Sequence, residues 1–597
     1  MICSIVKIAT VSPIDSVVEV FQKTFDDPMM IPFIGFLVIF GIFSIFSPRK
    51  SKLTRARWAS RVEKIALVKT AQEQLKNPKV KATCLYSGSY WKWQMWGVVP
   101  YIWTWITGNP PSLFIPFANL SIEVCGKAGS GKTFSVIDRV LASAIENGYP
   151  IILYDFKGGK NAIGGQIPFI ATYAARHRYK VRIFAPGREY SCIINPLDYM
   201  KDNRDMTTAK TIAETFHANL RADAGKTDGF FGPAGKRLLY ALFMLAKGTD
   251  YPDLAMAFAF MRLTHLPQRL KHLSTLNLKH FPFWVEVGFS QLIQVAEAEE
   301  TTGGILAGAA DLLTEFMQFD LLGSFLGKTN TSLCLQEKEI LIFQNDRNRK
   351  KVISPMLGAN SELALNLNLS DQREIPLVCS WDELSTLTIP LLTELPNLDR
   401  SKGYCGIYGY QTIPQIEKRY GKDGAEEMRA SIGNSFWFNP GKSDKTASAF
   451  SNHLGRKEVI IRQKSTSHDG KRSYSERSEL TNLMNKDDFT SLGEGECVYT
   501  NVACKNKHRA DMPQHIRRIR VPLYDQWREK RCKKLWSSKM LPNIIKRETR
   551  ERGKIDLEEQ IKLRIALADK LLPLPPELQS SKSSNKQVTP SANSCLF

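Results

Sequence analysis

The chain has 597 residues, 43% of them hydrophobic, enough for about three to four domain equivalents with sizeable cores. Its formal net charge is +22, from 81 Lys and Arg against 59 Asp and Glu, which predicts attraction to nucleic acid or anionic lipid and does not bear on fold. Eleven cysteines without a Cys-x-x-Cys pair and nine histidines without ligand spacing argue against a disulfide framework or a structural zinc site, and for a reducing compartment.

Residues 1–28 carry Lys7 and Lys23 against Asp15, Glu19, Asp26 and Asp27, and residues 29–47 carry no charge at all. A helix of that length spans roughly 28 Å, about one hydrocarbon core. Arg49, Lys50, Lys52, Arg55, Arg57, Arg61, Lys64 and Lys69 follow, opposed only by Glu63. The flanks predict a single-pass transmembrane helix in the inner (plasma) membrane, with the N-terminus outside and the bulk of the chain in the cytoplasm. Residues 50–76 read as a basic helix at the membrane surface. Residues 93–107 are uncharged and rich in tryptophan, but short and broken by Pro100, which fits an interfacial or packed segment better than a second span.

Residues 122–125 read as a short buried strand. Gly126, Lys127, Ala128, Gly129, Ser130, Gly131, Lys132 and Thr133 then fit G-x-x-x-x-G-K-[ST], and residues 134–147 have helical spacing with Val136, Val140, Leu141 and Ile145 on one side. This is the context of a phosphate-binding loop. The glycines free backbone N–H groups to cradle phosphate oxygens, Lys132 reaches the β- and γ-phosphates, and the Thr133 hydroxyl binds Mg²⁺. ATP and Mg²⁺ are therefore the expected ligands.

Strands are expected at residues 150–155 and 181–186, alternating with helices as in a parallel sheet covered on both faces. From 201 to 330 the pattern turns helical, over 207–220, 231–247, 253–263 and 289–316, and predicts an all-α insertion. Residues 376–383 form an apolar strand ending in Asp382 and Glu383; Asp382 can hold Mg²⁺ through water, and Glu383 can orient and activate the water that attacks the γ-phosphate. A last strand over 403–411 ends in Gln411, with Arg400 just before it. Residues 505–554 hold seventeen Lys and Arg against five Asp and Glu, with Tyr524, Trp527 and Trp536 interleaved, a composition that suits a nucleic-acid backbone with stacked bases or, equally, an ion-paired helical face. The Pro- and Ser-rich residues 572–597 read as a disordered tail.

In order along the chain stand Gly126-Lys-Ala-Gly-Ser-Gly-Lys-Thr133, Asp155-Phe-Lys-Gly158, Ile194-Asn-Pro-Leu-Asp198, Gly229-Phe-Phe231, Trp381-Asp-Glu-Leu384, Arg400, Gln411 and the stretch 446–455. This set resembles the coupling proteins of type IV secretion and conjugation, the TraD/TraG group of the FtsK–HerA class of ring ATPases, over about residues 119–521. The resemblance implies an α/β fold: a P-loop RecA-like nucleotide domain with an inserted all-α domain, preceded by an N-terminal transmembrane helix. Its parts would be a short extracytoplasmic N-terminus (1–28), the transmembrane helix (29–47), a basic juxtamembrane region (48–110), the nucleotide domain in two parts (111–200 and 331–525) around the insertion (201–330), a basic helical region (526–571) and the tail (572–597).

It further implies a homo-hexameric, DNA-translocating ATPase that takes a relaxase–DNA complex to a type IV secretion channel. Single- or double-stranded DNA, the relaxase, other secretion components and the membrane would be its partners. A receptor for protein substrates without DNA transport is the alternative. By position, Lys132, Thr133, Asp382 and Glu383 take the hydrolytic roles, Gln411 resembles a γ-phosphate sensor, and Arg400 resembles a site arginine. One departure stands out: residues 109–123 contain no Arg or Lys, so the cation expected just before the loop must come from elsewhere, with Lys418, Arg419 and Lys422 as candidates.

Overall fold

The computed structural model describes residues 56–87, 97–224, 231–276, 281–466, 472–505, 511–553 and 555–578. Residues 1–28, the expected span 29–47 and most of the expected tail lie outside these. No helix among the described residues is long and apolar enough to cross a membrane.

The strands in chain order are β1 (Leu85–Ser87), β2 (Leu113–Ile115), β3 (Ile122–Cys125), β4 (Ile151–Asp155), β5 (Lys180–Phe184), β6 (Glu339–Gln344), β7 (Leu377–Trp381), β8 (Tyr404–Tyr410), β9 (Asn434–Trp437), β10 (Arg456–Thr466), β11 (Arg472–Asn482), β12 (Cys497–Asn501) and β13 (Gln514–Ile516). The chain divides into two compact units. One comprises residues 1–56 and 456–481, whose described part is the two-stranded ribbon β10–β11. The other holds everything else, including a nine-stranded sheet in the order β13-β12-β9-β3-β8-β7-β4-β6-β5.

From β9 to β5 all neighbours in that sheet run parallel, and β12 and β13 close one side antiparallel. Helices cover the parallel strands, so β3, β4, β7 and β8 are buried along their whole length, and β4 is an unbroken apolar run up to its terminal Asp155 rather than an alternating one. Trp381 fits such a strand because its ring lies in an aromatic cluster. Its Nε1 donates to the Tyr404 hydroxyl at 3.2 Å, and the Tyr404 and Tyr408 hydroxyls lie 2.8 Å apart.

Between β5 and β6 the described chain is helical from Met206 to Leu322. The helix expected over 289–316 is two, Phe283–Gln294 and Glu299–Phe316. They part where the Val295 carbonyl turns to accept from the Ala298 N–H at 2.9 Å and the Thr302 hydroxyl at 2.7 Å. Strand β6, Glu-Ile-Leu-Ile-Phe-Gln, is a legible apolar run that was not among the expected strands.

Of two basic regions, the first is placed differently from its sequence reading, and the second takes the ion-paired form that the reading left open. The helix Arg61–Lys76 puts Leu67, Val68 and Ala71 into the core around the sheet, so its apolar face is used by the fold itself. In the C-terminal helices Leu523–Leu535 and Leu541–Arg552 the acidic residues reach inward to core arginines. Glu529 pairs with Arg139, and Glu548 and Glu551 take Arg182 at 3.0 and 2.9 Å. Trp536 is fully buried, donating to the Asn161 carbonyl at 2.9 Å, and so is no stacking platform. The helix Leu557–Leu571 docks on the insertion through a buried pair in which Arg564 Nε donates to Asp253 Oδ1 at 3.0 Å. Leu572, expected to open the tail, is buried.

Truncating Trp536 to Ala should therefore cost about 3–5 kcal/mol, while Trp527→Ala at a half-exposed position should stay within about 0.5 kcal/mol. Urea unfolding of the purified chain measures both, and two equally small effects would contradict this packing.

Burial pushes the Glu362 carboxyl up to about 7, against the opposing hydrogen bond from the Thr215 hydroxyl at 2.6 Å. The folded chain then keeps a proton that the unfolded chain loses above pH 4.5. Stability from this group is full below that value and falls as pH rises toward 7, by at most about 1.4 kcal/mol per pH unit. Glu362→Gln should flatten that part of the stability profile; an unchanged slope would show that Glu362 is already ionised.

Candidate active site

All the parallel strands present their carboxyl ends at one edge of the sheet, the edge where open α/β sheets bind ligands. The register Cys125↔Tyr410 between β3 and β8, and Trp381↔Tyr408 between β7 and β8, brings Gly126, Gln411 and Asp382 to that edge. Tyr154↔Trp381 adds the end of β4.

The loop leaving β3 is held at both ends. The Gly126 N–H donates to the Tyr410 carbonyl at 3.2 Å, and the Lys127 N–H to the Asn439 carbonyl at 2.8 Å. Further on, the Ser130 carbonyl accepts from the Gly495 N–H at 2.9 Å. Gly129 and Gly131 take φ of +77° and +90°, a region open to glycine at no steric cost. Thr133–Ile137 forms a π-turn that leads into the helix Asp138–Glu146, with Val136, Val140, Leu141 and Ile145 all buried as their spacing predicted. Asn439 and Gly495 were not found from sequence. Asn439 sits just past β9, a strand too short and polar to read as one.

The Thr133 hydroxyl donates to Asp382 Oδ2 at 2.8 Å, uniting residues that lie far apart in the chain. Lys157, two residues past β4, places Nζ 3.6 Å from Asp382 Oδ2 and 3.4 Å from Thr133 Oγ1. Burial opposes its charge, but the Asp382, Glu383, Asp138 and Asp155 carboxylates outweigh burial and raise its pKa. Asp382 Oδ1 and Ser130 Oγ are buried and have no hydrogen-bond partner among the described residues. An unsatisfied carboxylate oxygen next to Thr133, with an unsatisfied hydroxyl in the loop, fits a divalent cation and a phosphate group at this place.

Glu383 lies in the left-handed region at φ 64°, an uncommon conformation for a residue with a side chain. Its Oε1 accepts from Gln411 Nε2 at 2.9 Å. Asp155, at the end of β4, is used within the fold. Its Oδ2 accepts from the Gln166 and Ile167 N–H groups at 2.9 and 3.1 Å and caps the helix Ile167–Arg176.

The structure does not bring Arg400 to this edge. Arg400 is exposed in a short turn ahead of β8, whose seven residues separate it from Gln411 by roughly 20 Å. Of the other candidate cations, Lys418 and Lys422 are exposed, while Arg419 is buried, donating to Asn219 Oδ1 at 3.1 Å.

Part of this sequence matches a known family. Residues 376–494 match the family TraG-D_C, described as the TraM recognition site of TraD and TraG. That segment carries Asp382, Glu383, Gln411 and Asn439. No curated protein matches the sequence. Among solved structures, the bacterial conjugative coupling protein TrwBdeltaN70 aligns at 14% identity over 68% of this chain and 86% of its own, with a TM-score of 0.48. The plasmid coupling protein TrwB in complex with ADP and Mg²⁺ aligns at 15% over 68% and 86%, with a TM-score of 0.47. VirB4 of Thermoanaerobacter pseudethanolicus aligns at 14% over 68% and 91%, with a TM-score of 0.41.

The loop geometry makes one substitution decisive. A Cβ at Gly126 would stand 2.6 Å from Phe438 Cβ and 2.8 Å from Ser130 Oγ, so Gly126→Ala must push the loop out of shape. Affinity for a fluorescent ATP analogue should fall by about tenfold or more, the equivalent of ~1.4 kcal/mol; unaltered binding would mean that the loop does not hold the phosphates.

Proposed function

We propose that this chain, whose residues 376–494 are of TraD/TraG type, is a membrane-anchored coupling ATPase of a type IV system that drives single-stranded DNA, delivered with its relaxase, into the secretion channel. The observation that carries the reading is the meeting of Thr133 with Asp382 and of Glu383 with Gln411 at one sheet edge, beside the glycine loop. Lys132 and the loop amides would hold the phosphates of ATP. Thr133 and Asp382 would hold Mg²⁺, which supplies charge neutralisation between the β- and γ-phosphates. Glu383 orients the attacking water and takes its proton, and Gln411 fixes the Glu383 carboxylate through its amide. Lys157 supplies a positive charge beside Asp382 before the nucleotide arrives.

The same reading has residues 29–47 as a single inner-membrane span with the N-terminus outside, and a homo-hexamer in which a neighbouring subunit completes the site. The exposed Arg400, Lys418 and Lys422 are candidates for that trans cation. The match of residues 376–494 to a TraM recognition site supports a protein of the TraM kind as a further partner.

A receptor for protein cargo is the second reading. It gains from the burial of Trp536, which removes one of the aromatic rings that sequence offered to stacked bases.

ATP hydrolysis by the purified chain should rise with single-stranded DNA and fall with added salt as phosphate contacts are screened. It should vanish in Lys132→Ala and drop by about a hundredfold in Glu383→Gln. Equal rates with and without DNA would remove the DNA motor, and normal plasmid transfer by cells lacking the chain would favour protein cargo.

A further inference from the structure

The helix Val99–Thr107 is packed on one side only. Pro100 and Thr104 are buried, and the Tyr101 hydroxyl donates to Gln72 on the helix Arg61–Lys76. The opposite side shows solvent an unbroken apolar face: Val98, Ile102, Trp105 and Ile106 are each more than half exposed, and Trp103 is nearly so. An exposed face of aromatic and aliphatic side chains marks an interaction site rather than ordinary surface.

Next to this helix lies a cleft of about 600 Å³. Trp103 and Thr107 form part of its wall. Lys64, Arg517, Arg518 and Arg520 also line it, and no carboxylate does. The three arginines are exposed. Lys64 ties the cleft to the helix end, donating to the Gly108 carbonyl and to Asn109 Oδ1, both at 2.9 Å. A tryptophan-rich apolar face beside a purely cationic cleft is complementary to one kind of surface, acyl chains overlaid by anionic headgroups.

Chain connectivity gives the same answer. The helix Arg61–Lys76, on which this one rests, begins fourteen residues after the uncharged stretch ending at Ser47, a tether of at most ~50 Å. The apolar face is therefore kept close to the point where the proposed anchor leaves the bilayer.

We infer that the helix Val99–Thr107 and its cationic cleft form a second membrane contact, with the helix lying in the headgroup layer and the cleft taking anionic phospholipid headgroups. The inference rests on the proposed anchor at 29–47. It would fix how the nucleotide domain faces the membrane, which a single span alone does not.

The test uses the full chain in lipid nanodiscs, with an environment-sensitive fluorophore on Ile106→Cys. Phe319→Cys, exposed in the all-α insertion, serves as reference, and the labelled unsubstituted chain gives the background to subtract. In nanodiscs containing phosphatidylglycerol, acrylamide quenching at position 106 should be about threefold weaker than at position 319, as for a probe buried in the interface. The protection should shrink in pure phosphatidylcholine, and the variant R517Q/R518Q/R520Q should lose its lipid-charge dependence. Equal quenching at 106 and 319 in these discs overturns the inference while co-elution with the discs leaves the anchor standing. Protection that appears only as the number of chains per disc rises also overturns it, because another copy of the chain then covers the face. A chain that does not co-elute with the discs removes the anchor, and this contact with it.

Discussion

One buried carboxylate ties the sheet together under the glycine loop. Glu123 lies in the middle of β3, the strand that ends in the loop, and is enclosed on all sides. Burial alone would raise its pKa, but Arg429, the Tyr410 hydroxyl and the Trp437 indole N–H outweigh it and hold the carboxyl below its usual range. The Arg429 Nε donates at 2.9 Å and the Trp437 Nε1 at 2.8 Å. The partners come from β8, β9 and the helix Ile413–Ser431. A charge taken from water this completely is tolerated only when every partner is in place, and losing one costs about 3–5 kcal/mol. The network therefore fixes which strands flank β3, and through them which residues stand beside the loop.

The site follows from that placement. With β8 beside β3 and β7 beside β8, Gln411 and the Asp382–Glu383 pair have to emerge next to Gly126–Thr133, because parallel strands in register end together. The same logic keeps Arg400, which precedes β8 and so lies at the other edge, away from the loop of its own chain. It also explains Lys157: β4 neighbours β7, and the turn after β4 delivers an ammonium group into a field of four carboxylates.

The outer layers show how charge patterns mislead when read one-dimensionally. The C-terminal helices are strongly basic, yet much of what holds them comes from their few acids, Glu529, Glu548 and Glu551, gripping arginines of the sheet and its helices, beside Arg528, which reaches Glu146. Their lysines, Lys530, Lys533, Lys534, Lys539 and Lys546, are left outside and exposed. The basic helix Arg61–Lys76 likewise spends its apolar side on the core, whereas the shorter Val99–Thr107 leaves its own uncovered.

The sequence by itself determined the loop Gly126–Thr133, the apolar strands with polar ends, the all-α stretch between two halves of one domain, and the carboxylate pair. Each is a local pattern whose physics is contained within a few residues: glycine conformations, helical spacing, and unbroken apolar runs that must be buried on both faces. Only the tertiary structure decided which of these ends meet. Thr133 reaches Asp382 across 249 positions of chain, and Asn439 and Gly495 brace a loop with which they share no pattern. It also decided that Trp536 is core while Trp527 is surface, since both sit in equally basic surroundings. Strand order is set by the cost of burying Glu123 without its partners and by the pairing of long-range ion pairs, and neither leaves a periodic mark along the chain.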